Sequence, residues 1–383
     1  MIKKSLVALA MGGLAIGMTE FTMMGVLEDF AKDLQISIPK AGNFISMYAM
    51  GVMVGAPTLI MATNKFAPKN VLMFFMLLFT LFNGLFVVAP SYTTLIIARF
   101  MSGLPHGAFF GVGSVVASQL ADKGKEAQAI AFMFMGLTLA NLVGVPLGTW
   151  LGQVFHWRYT FAIIAALGLI TVMGVKFWIP NVENTNEGSI LDQLSFFKKW
   201  EAWVLIAMIS IGTAGLFAWI SYISPLITEV AKLSKETVPL IMILIGLGMF
   251  VGNLIGGKIA DTLSPNKATI ISFGSMAIML VIVYFTSEIQ MMAFVTAFFT
   301  GLIAFTIGSP IQMMLINNAK GSETLAAAAG QASFNIGNAL GAFLGGLPIA
   351  YGLGYNSQLW VGVAMASIGA IIATIFLNLK SAK

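Results

Sequence analysis

Long apolar runs, separated by short polar or Pro/Gly-containing segments, occupy most of the 383-residue chain. Each run is about as long as a helix that crosses a bilayer, which takes about 20 residues. The predicted spans are 5–27, 41–62, 70–89, 93–119, 127–150, 158–179, 200–224, 238–259, 267–286, 289–314, 325–349 and 357–378. The pattern therefore predicts an all-α membrane protein with twelve transmembrane helices.

The composition agrees with this pattern. Apolar residues make up 58% of the chain and charged residues 9%, whereas a soluble domain carries about 25% charged residues. The outer surface must therefore face lipid. The connections are too short for a soluble catalytic domain, and the chain has no Ser/His/Asp set, phosphate loop or cysteine. We expect no enzyme activity, no cofactor and no metal site.

Basic residues indicate the orientation in the membrane. Fourteen Lys lie in the segments on the side of the N-terminus, and five Lys or Arg lie in the segments on the other side. Because cytoplasmic loops are enriched in Lys and Arg, both termini are predicted to be cytoplasmic. The scattered positive charges predict no nucleic-acid binding. The first apolar run lacks a cleavage site and is expected to be retained as the first span.

An internal repeat with an offset of 197 residues relates the two halves of the chain. Gly51, Gly55 and Pro68 map onto Gly248, Gly252 and Pro265. The predicted organisation is a six-helix half over 1–179, a cytoplasmic linker with an amphipathic helix over 180–199, and a second six-helix half over 200–383. Two such halves are typical of transporters that work by alternating access.

Several motifs resemble the major facilitator superfamily, and within it the twelve-span drug:proton antiporters. They are GMTEFTMMGVL (17–27), ISIPKAG (36–42), GVMVGAP (51–57), SGLPHGAFFGVG (102–113), GVPLGTWLGQVFHWRYTF (144–161), NAKG (318–321) and GQASFNIGNALGAFLGG (330–346). The resemblance implies the major facilitator fold with two pseudo-symmetric six-helix halves. The loop after the second span departs from the family pattern, since Asn64 replaces its acid while Asp261 keeps the acid in the second copy.

Glu20 is the only carboxylate well inside a predicted span. A medium of low dielectric disfavours the charged form of a carboxyl group, so Glu20 could load and release a proton. Intramembrane ionisable groups are functional in most cases. The alternative is a carboxylate that reaches a water-filled vestibule and has no coupling role.

Arg99 is the only basic residue inside a predicted span, and it lies at about the same depth as Glu20. The shared depth predicts an ion pair that breaks when Glu20 is protonated. Alternatively, Arg99 caps backbone carbonyl groups. His106 follows two turns later and could titrate near neutral pH, although a neutral hydrogen-bonded histidine is the alternative that we favour.

The fifth span carries Gly144, Pro146 and Gly148, which match the antiporter signature of drug-efflux relatives. Proline bends a helix, and glycines let a neighbouring helix approach closely. Ordinary helix packing explains the same residues. The predicted gating and packing residues are Asn64, Asn141, Gly144, Pro146, Gly148, Asp261, Gly341 and Gly345.

Amphipathic and adaptable side chains inside the spans are candidates for substrate contact, although each could equally contact a neighbouring helix. The candidates are Met24, Asn43, Tyr48, Phe109, Trp219, Tyr222, Gln312, Asn335 and Asn338. They permit either a sugar or a lipophilic drug-like compound.

The sequence thus predicts a monomeric, proton-coupled efflux transporter in a bacterial cytoplasmic membrane, with a small molecule, protons and the lipid bilayer as its partners. Two alternatives stay open. One is a nutrient symporter or facilitated-diffusion importer with the same fold, and the other is a membrane sensor that transports nothing.

Overall fold

A computed structural model describes residues 3–123, 126–182, 194–319 and 323–381 of the chain. Within these ranges we number twelve long helices. They are α1 (Lys4–Gly25), α2 (Ile38–Thr63), α3 (Pro68–Val88), α4 (Tyr92–Gln119), α5 (Glu126–Leu139, continued through Ala140–Gly144 to Val145–Val154), α6 (Trp157–Trp178), α7 (Trp200–Ile220), α8 (Val238–Leu263), α9 (Pro265–Thr286), α10 (Gln290–Phe305 and Gly308–Asn318), α11 (Glu323–Ala350) and α12 (Gln358–Ser381).

The long helices confirm the predicted spans to within a few residues. In the described part of the chain, eleven helices are long and apolar enough to cross a membrane by length and composition. α11 lies outside that set because Gln331, Asn335 and Asn338 are among the polar side chains that lower its hydropathy. It is nevertheless 28 residues long and packs against α2 and α7.

Side-chain caps and proline fix several helix ends. The hydroxyl group of Ser37 accepts a hydrogen bond from the backbone N–H of Lys40 at the start of α2. Ser91 and Thr94 form a capping box at the start of α4. These caps satisfy N–H groups that have no partner within the helix. They keep the connections short, as a densely packed bundle requires.

The two groups of six helices pack in the same way. In the first group α1 packs on α5, α2 on α4, and α3 on α6, and the pairs α7–α11, α8–α10 and α9–α12 repeat this arrangement in the second group. Gly51 lets α2 approach the Phe100 carbonyl of α4, and Gly248 lets α8 approach the Phe298 carbonyl of α10. The protein therefore consists of two pseudo-symmetric six-helix halves.

Two seams join the halves. α2 packs on α11 at the first seam, and α5 packs on α8 at the second. The outer faces of the bundle expose large apolar side chains, such as Phe177 (72% exposed) and Phe285 (71%). Such exposure fits a surface that contacts lipid rather than water.

The predicted amphipathic linker helix falls largely outside the described residues, since the structure describes nothing of 183–193. The part that is described, Leu194–Lys198, is a short 3₁₀ helix. Phe196 is buried there against the core around Ala202 and Leu205 of α7. This turn is therefore packed against the second half, and the amphipathic linker helix stays a prediction.

Candidate functional site

Polar contacts define the two ends of the bundle. At one end, which we call the Lys3 end, the ammonium group of Lys3 donates to the Leu120 carbonyl group (2.8 Å) and pairs with Asp122 (2.7 Å). At the opposite end, the Asp33 end, the indole N–H of Trp157 donates to the Asp33 carboxylate (2.8 Å). Because the helices alternate in direction, each helix begins at one of these ends and finishes at the other.

The halves are joined at the Asp33 end. The Glu28 carboxylate accepts hydrogen bonds from the hydroxyl groups of Ser224 (2.8 Å) and Thr228 (2.7 Å), which belong to the second half. Asp29 forms an ion pair with Lys235, also across the halves. These contacts connect the short helix Leu27–Asp33, which follows α1, to the segment between α7 and α8, so this end is closed.

Tyr222 adds an apolar plug to that closure. Its side chain is buried, and its hydroxyl group donates to the Ala342 carbonyl group of α11 (2.6 Å). A β-carbon at either Gly42 or Gly346 would collide with the same hydroxyl group. Tyr222 therefore fills a gap between α2 and α11 that exists because both helices carry glycine there.

A cavity of about 970 Å³ lies between the halves on the Lys3 side of Glu20. Helices of both halves line it, and the lining extends from Glu20 and Asn335 at its deep end to Gln119 and Gln312, which are exposed. The cavity is therefore open towards the Lys3 end and closed towards the Asp33 end. Its volume is large enough for a drug-sized or sugar-sized molecule.

The cavity walls are mainly apolar and aromatic, with neutral polar groups between them. Phe110 and Phe134 stack face to face on the first half, with ring centroids 4.9 Å apart and planes 8° apart. The neutral polar side chains of the second half in this lining are Thr213, Asn253, Ser272, Ser309, Gln312, Gln331 and Asn335. Glu20 and His106 are the only ionisable side chains among the described lining residues.

Glu20 lies at the deep end of the cavity and contacts the other half. It is 6% exposed, and its carboxylate accepts a hydrogen bond from the side-chain amide of Asn338 on α11 (3.2 Å). α1 can bring Glu20 there because small residues let it pack closely on α5. Any change in the charge of Glu20 is therefore felt directly at the contact between the halves.

Arg99 is fully buried on α4 and is engaged by other groups. Its side chain donates to the backbone carbonyl groups of Phe44 (3.3 Å) and Thr19 (3.2 Å). Its guanidinium group also lies 4.4 Å from the centre of the Tyr48 ring. Among the described residues no ion pair joins it to Glu20. The predicted Glu20–Arg99 pair is thus not formed in this structure, and Arg99 acts here as a cap for carbonyl groups.

His106 lines the cavity, and its ring nitrogen Nδ1 lies 3.2 Å from the hydroxyl group of Tyr48. The same Tyr48 ring faces Arg99, so one aromatic side chain connects the cavity lining to the buried arginine. Thr19 extends this network, because it accepts from Arg99 and donates to Asn83 (2.7 Å). Thr19 and Asn83 did not stand out in the sequence, since single hydroxyl and amide groups are common in membrane helices.

The fifth-span glycines bring α5 against α1. A β-carbon at Gly144 would lie 2.6 Å from Met18, and one at Gly148 would lie 3.0 Å from Thr22. α5 contains a π-helical turn, Ala140–Gly144, immediately before Pro146, because proline cannot donate to the regular hydrogen-bond ladder. In the second half Gly341 and Gly345 bring α11 against α7 in the same manner.

Two further predicted gating residues, Asn64 and Asp261, lie near the Lys3 end. Asn64 occupies the C-cap position of α2. Asp261 belongs to the last turn of α8, and its side chain is outside the part that the structure describes. The gating role of Asn64 and Asp261 stays a prediction.

The structure separates the predicted substrate-contact residues into two groups. Gln312 and Asn335 line the cavity. The others lie elsewhere: Met24 and Phe109 in the core, Asn43 bonded to Tyr92, Tyr48 bonded to His106, Trp219 in the core, Tyr222 in the plug, and Asn338 bonded to Glu20. Asn141 likewise donates to a carbonyl group of its own helix, that of Leu137 (3.3 Å).

Several lining residues were not predicted from the sequence. Gln331 precedes Asn335 by one helical turn, and this spacing was a usable signal for a polar stripe on one face of α11. Phe110 and Phe134 carried no such signal because phenylalanines are abundant on every face of these helices.

Comparison with known proteins gives the family. The sequence profile of the Major Facilitator Superfamily matches residues 9–345. The chain belongs to this superfamily. It is 40% identical over 355 residues to the "Putative transporter AraJ" of Escherichia coli (strain K12), with 93% of this chain and 90% of that protein covered. It is 27% identical to the "Probable sugar efflux transporter" of Helicobacter acinonychis (strain Sheeba), with 88% and 86% covered.

Comparison with solved structures agrees with this family assignment. The crystal structure of a D-xylose–proton symporter superposes with a TM-score of 0.77 at 15% sequence identity, covering 97% of this chain and 96% of the other. At that identity the likeness concerns the fold. The chain is therefore a multi-pass transporter of the major facilitator fold and not an enzyme.

Proposed function

We propose that this member of the superfamily is a proton-coupled efflux transporter, in which Glu20 carries the proton and the central cavity carries the substrate. The observation that carries the proposal is the position of Glu20. It is the only carboxylate among the described lining residues, and it is hydrogen-bonded to Asn338 of the other half. A proton on Glu20 therefore changes both the cavity and the contact between the halves.

The direction of transport is inferred from three observations. The Lys3 end carries the excess of basic residues, so we take it as the cytoplasmic side of a bacterial inner membrane, and the open cavity then receives substrate from the cytoplasm. The Gly144–Pro146–Gly148 segment resembles the antiporter signature. A related protein carries the name "Probable sugar efflux transporter".

In the proposed cycle, substrate enters the cavity from the cytoplasm while Glu20 is ionised. The halves then rock, the Asp33 end opens, and substrate leaves as Glu20 takes a proton from outside. The protonated transporter returns and releases the proton inward. The residues 180–199 serve as the linker between the halves 1–179 and 200–383, and one chain suffices because it holds both halves.

The proposal is tested with purified protein in proteoliposomes that contain a fluorescent pH reporter. Sugars and lipophilic cations are screened for substrate-triggered proton movement. Glu20→Gln keeps the size of the side chain and removes its charge, so we expect it to abolish proton movement and proton-driven export while substrate binding stays measurable. Glu201→Gln, at the start of α7 and outside the cavity lining, is the matched control and should retain full transport.

Three results would contradict the proposal. Full proton-driven efflux by Glu20→Gln would show that another group carries the proton. Substrate movement without proton movement in the unmodified protein would identify a facilitator, and the absence of any movement over the whole panel would favour a sensor.

A further inference from the structure

Three buried groups lie together at the deep end of the cavity. Glu20 and Asn335 both line it, with exposures of 6% and 4%. Asn338 follows Asn335 by three residues on α11, which places both on one face of the helix, and it contacts Glu20. This cluster is where a ligand that fills the cavity meets the polar part of its wall.

The hydrogen bonds fix the orientation of both amides. The side-chain nitrogen of Asn335 donates to the Gln331 carbonyl group (3.0 Å), and the side-chain nitrogen of Asn338 donates to the Glu20 carboxylate. Carbonyl and carboxylate oxygens can only accept, so the amide nitrogens must face them. The free atom of each amide is therefore its oxygen. Both oxygens are buried and have no partner among the described residues.

The charge of the site is also one-sided. The described lining contains no Lys or Arg, and Glu20 is its only acidic group. Arg99, the nearest buried cation, is directed at Thr19 and Phe44 instead. An incoming group thus meets the Glu20 carboxylate and the amide of Asn335, whose oxygen has no partner, with aromatic side chains such as Phe110 beside them.

A buried acceptor without a partner is costly, so a ligand that donates to it recovers that cost. We propose that Asn335 determines specificity: its side-chain oxygen, together with Glu20, forms a subsite for a head group that presents O–H or N–H donors on an apolar body. Anionic head groups are rejected. This inference rests on the proposed function, because it takes the cavity to be the substrate site, and it names the substrate class by hydrogen-bond chemistry.

Equilibrium binding to the purified protein in lipid nanodiscs tests the subsite without any proton gradient. Four probes separate the chemistries: phenethylammonium (charged donor), phenyl glucoside (neutral donors), tetraphenylphosphonium (a cation without donors) and phenylpropionate (an anion). We expect at least one of the two donor probes to bind, and phenylpropionate to bind about tenfold more weakly or not at all.

Asn335→Leu should weaken binding of the donor probe about tenfold. Binding of tetraphenylphosphonium should be the same in Asn335→Leu and in the unmodified protein. Asn43→Leu is the matched control, since Asn43 is bonded to Tyr92 outside the cavity lining, and it should bind as the unmodified protein does. Thermal unfolding confirms that each variant is folded.

The selectivity of the unmodified protein keeps the test decisive if Asn335→Leu does not fold. The inference is overturned if phenylpropionate binds as tightly as the donor probes, if neither donor probe binds, or if a folded Asn335→Leu binds both unchanged. Tighter binding of phenethylammonium would identify N–H groups as the donors that the subsite prefers, and tighter binding of phenyl glucoside would identify O–H groups. If the four probes bind as expected but no protons move in the proteoliposomes, the subsite is supported and proton coupling by Glu20 is refuted.

Discussion

The two seams between the halves use different chemistry. At the α2–α11 seam, side chains make the contact: Asn338 donates to Glu20 beside it, and the Ser46 hydroxyl group donates to the Ala339 carbonyl group (3.2 Å). At the α5–α8 seam, backbone lies against backbone, since a β-carbon at Gly246 would lie 2.5 Å from the Asn141 carbonyl oxygen. No hydrogen bond between described residues of α5 and α8 joins that second seam.

The contrast is informative because the internal repeat relates the two seams. The offset of 197 that maps Asn141 onto Asn338 also maps Glu20 onto Phe217. Asn141 consequently has no carboxylate to bond and donates to its own helix. One seam has kept a tight, apolar contact, and the other has acquired a charge whose state can alter it. We infer that the α5–α8 seam serves as a pivot and the α2–α11 seam as the responsive contact.

The largest expected effect comes from breaking the tight seam. In Gly246→Val the new side chain meets the backbone of Asn141, which cannot rotate away, so the seam must separate. Overpacking of this kind costs about 1–3 kcal/mol or more, and we expect a clear loss of thermal stability and of transport. Gly274→Val is the control, because a β-carbon at Gly274 meets nothing within 4 Å. If Gly246→Val and Gly274→Val unfold at the same temperature, the α5–α8 seam is not the tight contact that a pivot requires.

An intermediate effect is expected at the responsive seam. Asn338→Leu removes the donor to the buried Glu20 carboxylate, and hydrogen bonds to charged groups contribute about 1.5–3 kcal/mol. We expect transport to fall about tenfold and the exchange with protons to fall with it. Asn141→Leu, its counterpart under the repeat, loses only a bond within one helix and should be affected less. If the two variants behave alike in the proteoliposome assay, the seams do not differ as described.

Ser46→Ala gives the smallest expected effect. It removes one neutral hydrogen bond across the responsive seam, so the free energy of unfolding should fall by about 1 kcal/mol or less while transport is largely retained. Ser357→Ala is a suitable comparison, because the Ser357 hydroxyl group bonds within its own loop to Gly354. If Ser46→Ala loses as much transport as Asn338→Leu, the responsive contact is the hydrogen bond from Ser46 to the Ala339 backbone carbonyl group instead of the bond between Asn338 and Glu20.

The sequence predicted the helices well because membrane thickness sets their length. The runs predicted at 70–89 and 158–179 correspond closely to α3 and α6. The same physics identified Glu20 and Arg99, since a charged residue inside an apolar run is conspicuous. The repeat offset was readable because glycines recur where α2 meets α4 and α8 meets α10.

The side of each helix that points to lipid, core or cavity could not be predicted in the same way. In a helix that is apolar on all sides, nothing in the pattern shows which face points to lipid, core or cavity. Phe109 was therefore predicted to contact substrate and Phe110 was not, yet Phe109 lies in the core against Gly12 and Phe110 lines the cavity. Equal depth also suggested the Glu20–Arg99 pair, which depends on the rotation of α1 and α4 as well as on depth.

A lone carboxylate among the described lining residues also limits how steep a gradient the proposed antiporter can maintain. If Glu20 carries the proton as proposed, one carboxylate carries one proton, and the exchange is one proton per substrate molecule. A neutral substrate then moves one net charge per cycle, and each 100 mV of membrane potential contributes about 2.3 kcal/mol, which sustains a concentration ratio of about fiftyfold. A monovalent cation exchanged for a proton moves no net charge, and its ratio follows the pH difference alone, about tenfold for each pH unit.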